Sequence, residues 1–322
     1  KVLSLCACDR SLGAVCGRSV PKGSAKPIVW YQKFEYAKDF WLVKSSQNII
    51  GSVTCCPGCF SLYRAEALSG IVDAFSQPAK SAFQCLVMDH GEDRWLCTLL
   101  MRQGWRLAYS CSARNSTHCP ETVGEFLRQR RRWVLSELFN MADIFLSVRR
   151  LVRENSSFSV AFLLSLFTTL LWVIVSPATT LLCVCAGMSV LCSVPLCASL
   201  PTAAAIFAGY CAVCWFGSQR MQKMASLGLT LIMAVAVVTL SVFFLIYITR
   251  KIHDGIAVTF RPYILVILMS GYAIYAALLH HREIPSLIYG LAYALLFPAI
   301  FVALPVYALS NMLDQSWGTR QV

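Results

Sequence analysis

The sequence predicts a mixed α/β domain followed by an all-α transmembrane helical bundle, and three observations carry that prediction. Of 322 residues, 57% are hydrophobic and only 14% are charged, against about 25% charged in an ordinary soluble domain; the mean hydropathy is +0.61. The charge is divided unevenly: residues 1–156 hold 21 Lys and Arg with 13 Asp and Glu, and the other 166 hold 7 and 3. Short apolar pieces with strand or helix spacing fill the first half, and long apolar runs fill the second. Alternating strands and helices indicate an α/β layer domain, and runs of about 20 apolar residues indicate membrane spans. Apolar content excludes disorder and length excludes a small disulfide scaffold.

In chain order, Leu12 to Cys16 reads as a buried strand and Pro21-Lys22-Gly23 as a loop. Residues 30–48 have helical spacing, with Phe34, Ala37, Trp41 and Ile49 forming an apolar stripe. Residues 51–55 and 60–63 read as strands around a Pro-Gly turn. Residues 92–103 read as a helix with an acidic first turn, which suits the helix dipole. A strand at 106–109 and a helix opened by Pro120 and Glu121 and running through Trp133 complete the domain, 1–142. In 143–157, Phe145, Leu146, Val148, Leu151 and Val152 oppose Arg149, Arg150 and Arg153, the pattern of a helix lying on a membrane surface. The bundle, 158–310, offers about six spans: 158–175, 178–200, 202–217, 225–249, 262–279 and 285–310, the third being short. Residues 311–322 form a terminal motif segment. Flanking Lys and Arg do not orient the bundle, since both sides carry three.

The formal net charge of +12 beside a bilayer suits anionic head groups or a phosphorylated substrate. There is no RNA-binding or zinc-finger signature, so nucleic acid is not an expected partner. Six of the 16 cysteines sit inside apolar runs, where Cys acts as a small hydrophobe. Cys56-Pro57-Gly58-Cys59 has the spacing of a redox or zinc half-site, but no matching second pair follows. A reducing, cytosolic setting for the first half is the simpler reading. The sequons at Asn115 and Asn155 would then go unused. The chain opens at Lys1 with no signal-peptide pattern, and reads as a window of a longer protein.

Three clusters carry candidate chemistry. Glu92, Asp93 and Arg94 start a helix, where a carboxylate can take a proton from an incoming hydroxyl, or merely form an acidic first turn. In Gln129-Arg130-Arg131-Arg132-Trp133, residues 129, 132 and 133 share a helix face. That face joins an amide, a guanidinium suited to diphosphate, and an indole on which a pyranose can lie. Arg130 and Arg131 point elsewhere, toward phosphate, lipid or acidic partners; the plain alternative is a basic helix gripping anionic lipid. Ser316-Trp317-Gly318-Thr319-Arg320 follows the last apolar run and, by composition alone, is an interfacial anchor.

Taken in order, these clusters resemble chitin synthase, closest to its animal-type branch. The likeness extends through Ala14-Val15-Cys16-Gly17-Arg18, Trp30-Tyr31-Gln32-Lys33-Phe34-Glu35-Tyr36 and Cys56-Pro57-Gly58-Cys59-Phe60-Ser61-Leu62-Tyr63-Arg64. The resemblance implies a processive, inverting glycosyltransferase with a GT-A-type domain, 1–142 being its C-terminal part. Its donor would be UDP-N-acetylglucosamine, its product a β-1,4-linked chitin chain passed across the bilayer, and its cofactor Mg2+ or Mn2+. Asp93, with Glu92 beside it, would be the catalytic base. Gln129, Trp133, Pro57, Gly58 and Cys59 would meet the acceptor, and Arg130, Arg131, Arg132, Trp317 and Arg320 the UDP diphosphate. The resemblance also implies a multi-pass protein of the plasma membrane with a cytosolic catalytic domain, compatible with a homo-oligomer. The family's uridine-binding and Asp-x-Asp metal motifs are not found here, so this stretch alone is expected to be inactive. The alternatives are a cellulose- or hyaluronan-type synthase, which would lack the triple Arg with Trp-Gly-Thr-Arg, and a non-catalytic transporter or channel, which would leave all three clusters unexplained.

Overall fold

The computed structural model describes residues 1–156, 158–254, 271, 274–314 and 316. They form two units: Lys1–Val173 together with the segment from Met312, and Ile174–Asn311.

The first unit is built on a three-stranded mixed sheet in the order β2-β1-β3. Strand β1 (Leu12–Lys22) pairs antiparallel with β2 (Ser61–Tyr63) and parallel with β3 (Arg106–His118). Residues 12 to 19 of β1 are all buried, as befits a central strand covered on both faces. Both β1 and β3 run well past the expected ends, and the expected loop at Pro21 is strand, because Lys22 still pairs with His118. No strand forms at 51–55; Val53 donates a single hydrogen bond to Leu107 O, 3.1 Å.

Around the sheet stand α1 (Val2–Cys8), α2 (Pro27–Lys38), a π-helical stretch (Asp39–Lys44), α3 (Ser45–Ile50), α4 (Ala65–Ser76), α5 (Ala82–Asp89), α6 (Glu92–Arg102), α7 (Val123–Leu146) and α8 (Val148–Glu154). Residues 27–50 are thus helical throughout, and Phe34, Ala37 and Trp41 face the core while Ile49 is exposed. Helix α6 ends at Arg102, and Gly104 just beyond it has a φ of +87°, the left-handed conformation that glycine adopts freely. Helix α7 starts at Val123, not at Pro120, because Thr122 and Glu125 form a capping box. Glu121 stays outside and accepts from Ser24 and Lys26, which hold its carboxyl down at about 2.

The core joins Ala14, Cys16, Phe40, Val53, Leu100, Met101, Leu107 and Ile144, and extends to Leu151, Phe162 and Leu166. Leu151 is therefore a core residue of α8, while Arg149, Arg150, Val152 and Arg153 remain exposed. Both sequon amides are used inside the unit. Asn155 Nδ2 donates to Met101 O (2.9 Å) and Trp105 O (3.1 Å), and Asn115 Nδ2 to Cys59 O (3.1 Å).

Among the described residues, four helices are long and apolar enough to cross a membrane: Val160–Cys192, Leu196–Phe216, Gln219–Lys251 and Glu283–Ser310. They are α9 (Val160–Cys192), α10 (Leu196–Phe216), α11 (Gln219–His253), and a 3-10 stretch (His281–Tyr289) running into α12 (Gly290–Ser310). The expected break near 176 is absent, and α9 passes through Pro177. Proline is tolerated within a membrane helix where the surrounding protein satisfies the backbone. The chain turns instead at Ser193, whose φ is +57°, just before Pro195. The expected span 262–279 falls largely outside the described residues.

Within the second unit, small residues let helices approach closely: Ala299, Val302 and Ala303 of α12 meet Tyr210, Cys214, Leu229 and Met233 of α10 and α11. Polar bonds lock the same seam. Tyr210 Oη donates to Ala303 O (3.1 Å), and Asn311 Nδ2 donates to Gln222 Oε1 (2.8 Å).

Candidate active site

The site lies in the first unit, where three pieces meet: the Cys56-Pro57-Gly58-Cys59 turn, the start of α6, and the middle of α7. Gly58 N–H donates to Asp93 Oδ2 at 3.1 Å, and Arg94 N–H donates to Asp93 Oδ1 at 2.8 Å. A carboxylate in the first turn of a helix faces the positive end of its dipole. Gly58 and Cys59 are exposed and Asp93 is half-buried, so this carboxylate stands at an open rim. Arg94 pairs with Glu137 of α7 at 3.7 Å rather than with Asp93. Cys56 is wholly buried whereas Cys59 is exposed, so the two thiols do not act as one half-site.

Gly91, just before α6, lies against α7. A Cβ there would sit 2.2 Å from Ser136 Oγ, so only glycine fits this approach. His90 joins two further pieces. Its carbonyl accepts from Arg132 Nε at 3.3 Å, and its Nε2 lies 2.9 Å from Met312 O. A carbonyl partner requires the N–H on Nε2. Burial lowers the pKa of this histidine, which favours the neutral ring.

The three consecutive arginines of α7, Arg130 to Arg132, are engaged very differently. Arg130 pairs with Glu35 and stacks on Trp133, 3.9 Å from the ring centroid, with Phe126 and Tyr36 also around it. Burial raises the Glu35 carboxyl against the pull of Arg130. Arg131, with no exposed surface, binds Asp314 and donates from Nη2 to Ser316 O at 2.9 Å. Arg132 is 3.7 Å from Glu92 Oε2. Arg130 and Arg131, expected at a diphosphate, are thus committed to protein partners: the pattern of three consecutive cations does not reveal carboxylates 95 and 183 residues away. Trp133 remains 40% exposed, with Arg130 on one side of its ring. One turn before it, Gln129 Oε1 has no hydrogen-bond partner among the described residues.

The structure therefore joins Pro57, Gly58, Cys59 and Asp93, and joins Glu92 to Arg132; Trp317 and Arg320 lie outside the described residues. Among the described residues, no three His, Cys, Asp or Glu side chains stand together as a metal site. The described residues do not supply a cradle for Mg2+ or Mn2+. His90 and Asp314 were not legible as site residues, although each sits within two residues of a motif position, Glu92 and Ser316.

A family model described as Chitin synthase matches residues 1–208. The chain is 34% identical over 315 residues to chitin synthase chs-2 of Caenorhabditis elegans, covering 97% of this chain and 18% of that protein. It is 33% identical over 315 residues to a chitin synthase of Meloidogyne artiellia, covering 97% and 17%. With chitin synthase 6 of Mycosarcoma maydis it shares 32% over 193 residues, covering 56% and 16%. The chain spans less than a fifth of the length of these relatives. Since the matched residues take in the Pro57 turn, the start of α6 and the whole Gln129–Trp133 segment, the chain belongs to the chitin synthase family.

Proposed function

We propose that this chain carries the acceptor side of a chitin synthase site together with membrane helices that serve the product. The reaction transfers N-acetylglucosamine from UDP-N-acetylglucosamine to the terminal 4-hydroxyl of a β-1,4-linked chain, with inversion, and the polymer passes across the bilayer. Residues 1–142 are then the C-terminal part of a GT-A-type domain, cytosolic, in a multi-pass protein of the plasma membrane.

The observation that carries this reading is the Gly58–Asp93 hydrogen bond. It sets one carboxylate at an exposed rim where a terminal sugar can rest. Direct displacement at an anomeric carbon needs one base, unlike glycoside hydrolysis with its two carboxylates. Asp93 takes the 4-hydroxyl proton as that oxygen bonds to the anomeric carbon and the UDP oxygen departs. Arg132 offers paired donors to the diphosphate charge, and Glu92 orients it across 3.7 Å. The open side of Trp133 supports the sugar, with Gln129 one turn before it at the acceptor end. Arg130 props the indole, and Arg131 holds the segment leading to Trp317 and Arg320, which close on the nucleotide. The divalent cation that the family resemblance implies has no assigned ligand among the described residues.

The test is synthesis by the full-length protein in liposomes with radiolabelled UDP-N-acetylglucosamine. The expected product is a polymer that chitinase digests completely; a polymer resistant to chitinase but degraded by cellulase or hyaluronidase would refute the assignment.

A further inference from the structure

The turn that meets Asp93 is fastened to α6 at two points. Gly58 N–H reaches Asp93 Oδ2, and Cys56 N–H reaches Cys97 Sγ, each at 3.1 Å. Residues 93 and 97 stand one helical turn apart on the same face. Between the two donors lies Pro57, which has no N–H to give. The seating of the turn on α6 therefore uses the only two amide hydrogens that residues 56 to 58 possess, one on a carboxylate and one on a sulfur.

Cys97 and Cys56 are both wholly buried, so water cannot replace the sulfur as acceptor. An amide left unpaired at such a depth is strongly disfavoured and would pull away from its place. The surroundings suit an electron-rich sulfur. Lys44 Nζ donates to Cys55 O at 2.5 Å, and no ion pair joins Lys44 to a carboxylate among the described residues. Burial works against a charged sulfur at Cys97. The thiols of Cys55 and Cys56, the Cys56 N–H and the Lys44 ammonium outweigh it and bring Cys97 well below the ordinary thiol range.

We propose that Cys97 is a positioning residue for glycosyl transfer: its sulfur accepts the Cys56 N–H and so holds the Pro57–Gly58 turn against Asp93. The proposal rests on Asp93 as the base and adds what keeps the acceptor rim in register with it. Cys97 touches no substrate. Its effect passes through the turn.

The test compares Cys97→Ala, which removes the acceptor, with Cys97→Ser, which keeps one, in the full-length enzyme. Cys97→Ala is expected to lower kcat about 10- to 100-fold, the scale of a misplaced reacting group, with KM for UDP-N-acetylglucosamine within about twofold. Cys97→Ser is expected to recover most of the loss. Hydrogen–deuterium exchange over residues 55–60 reads the seating directly: it should quicken in the Ala variant and stay slow in the Ser variant. Equal turnover in the two variants, or unchanged exchange in Cys97→Ala, overturns the proposal. Asp93→Asn, assayed alongside, judges the base separately. Turnover retained there, with exchange still quickened by Cys97→Ala, removes the base and upholds Cys97 as the seat of the turn.

Discussion

Arg131 in the middle of α7 binds Asp314, 183 residues further along the chain and beyond the last membrane helix. The same guanidinium donates to Ser316 O, and His90 meets Met312 O nearby. The segment after α12 is thereby tied to α7 through Arg131, and to His90, whose carbonyl meets Arg132. The expected consequence is that Ser316 and Cys59 share one side of the membrane.

The first prediction follows from that tie. Asp314→Asn leaves a fully buried guanidinium without its counter-charge, and breaking a buried pair costs about 3–5 kcal/mol, reduced here because Asp314 is partly exposed. A reporter cysteine at position 316 in a cysteine-free background should react with an impermeant maleimide only when Cys59, restored singly, also reacts. Asp314→Asn should quicken the reaction at 316. The pH dependence has a definite sign. Burial would raise the Asp314 carboxyl, but Ser316 and Arg131 bring it below its ordinary value. The tie is therefore complete above the ordinary carboxylate pKa, and loosens as pH falls through the lowered one. Labelling at 316 on sealed cells in which Cys59 is silent would contradict the shared side.

The second prediction concerns the base. Asp93→Asn should lower polymerisation by about 10²- to 10⁴-fold, the usual cost of removing a general base. UDP affinity, measured by calorimetry on the full-length protein, should change little, because Asp93 is bonded to Gly58 and Arg94 and not to Arg132. More than about a tenth of the activity remaining would exclude Asp93 from that role.

Much of this site was legible because its signals are local. An acidic first turn, a Pro-Gly turn and a four-residue spacing between Gln129 and Trp133 are each properties of neighbours in the chain. What was not legible depends on partners far away. Nothing near Arg130 or Arg131 announces Glu35 or Asp314, so exposed phosphate binders were the natural expectation for two residues that are buried. The fold shows the same division. Residues 51–55 have strand composition, but they make isolated bonds to Leu107, Arg106, Gln47 and Lys44 and form no ladder. Pro177 reads as a helix end, yet α9 continues through it, and the chain turns where Ser193 takes a positive φ.

The third prediction tests the close approach at Gly91. In Gly91→Ala the new Cβ would meet Ser136 Oγ at 2.2 Å and Ser136 Cβ at 2.8 Å, so α6 must move away from α7 and carry Asp93 with it. Overpacking of this kind costs about 1–3 kcal/mol, and turnover should fall about tenfold or more. Ser136→Gly removes both colliding atoms and should restore part of the loss, less about 1 kcal/mol for glycine within a helix. A Gly91→Ala enzyme with unchanged thermal stability and rate would show that α6 is not held in this way.

The fourth prediction separates the buried Arg132 from the exposed Trp133 beside it. Arg132 bonds to His90 O and faces Glu92, whereas Trp133 is braced by Arg130 and Tyr36. Arg132→Ala should weaken UDP binding about 10- to 100-fold, the scale of charge-assisted hydrogen bonds. Arg132→Lys should fall between, since an ammonium keeps the charge but not the paired, planar donors. Trp133→Ala removes the sugar platform and uncovers Arg130, so polymer length and thermal stability should both fall while UDP affinity stays within about twofold. Trp133→Phe retains an aromatic face beside Arg130, and should recover stability and part of the polymer length. Equal losses of UDP affinity in Arg132→Ala and Trp133→Ala would show that the two side chains serve one subsite, and would end the division between diphosphate and sugar.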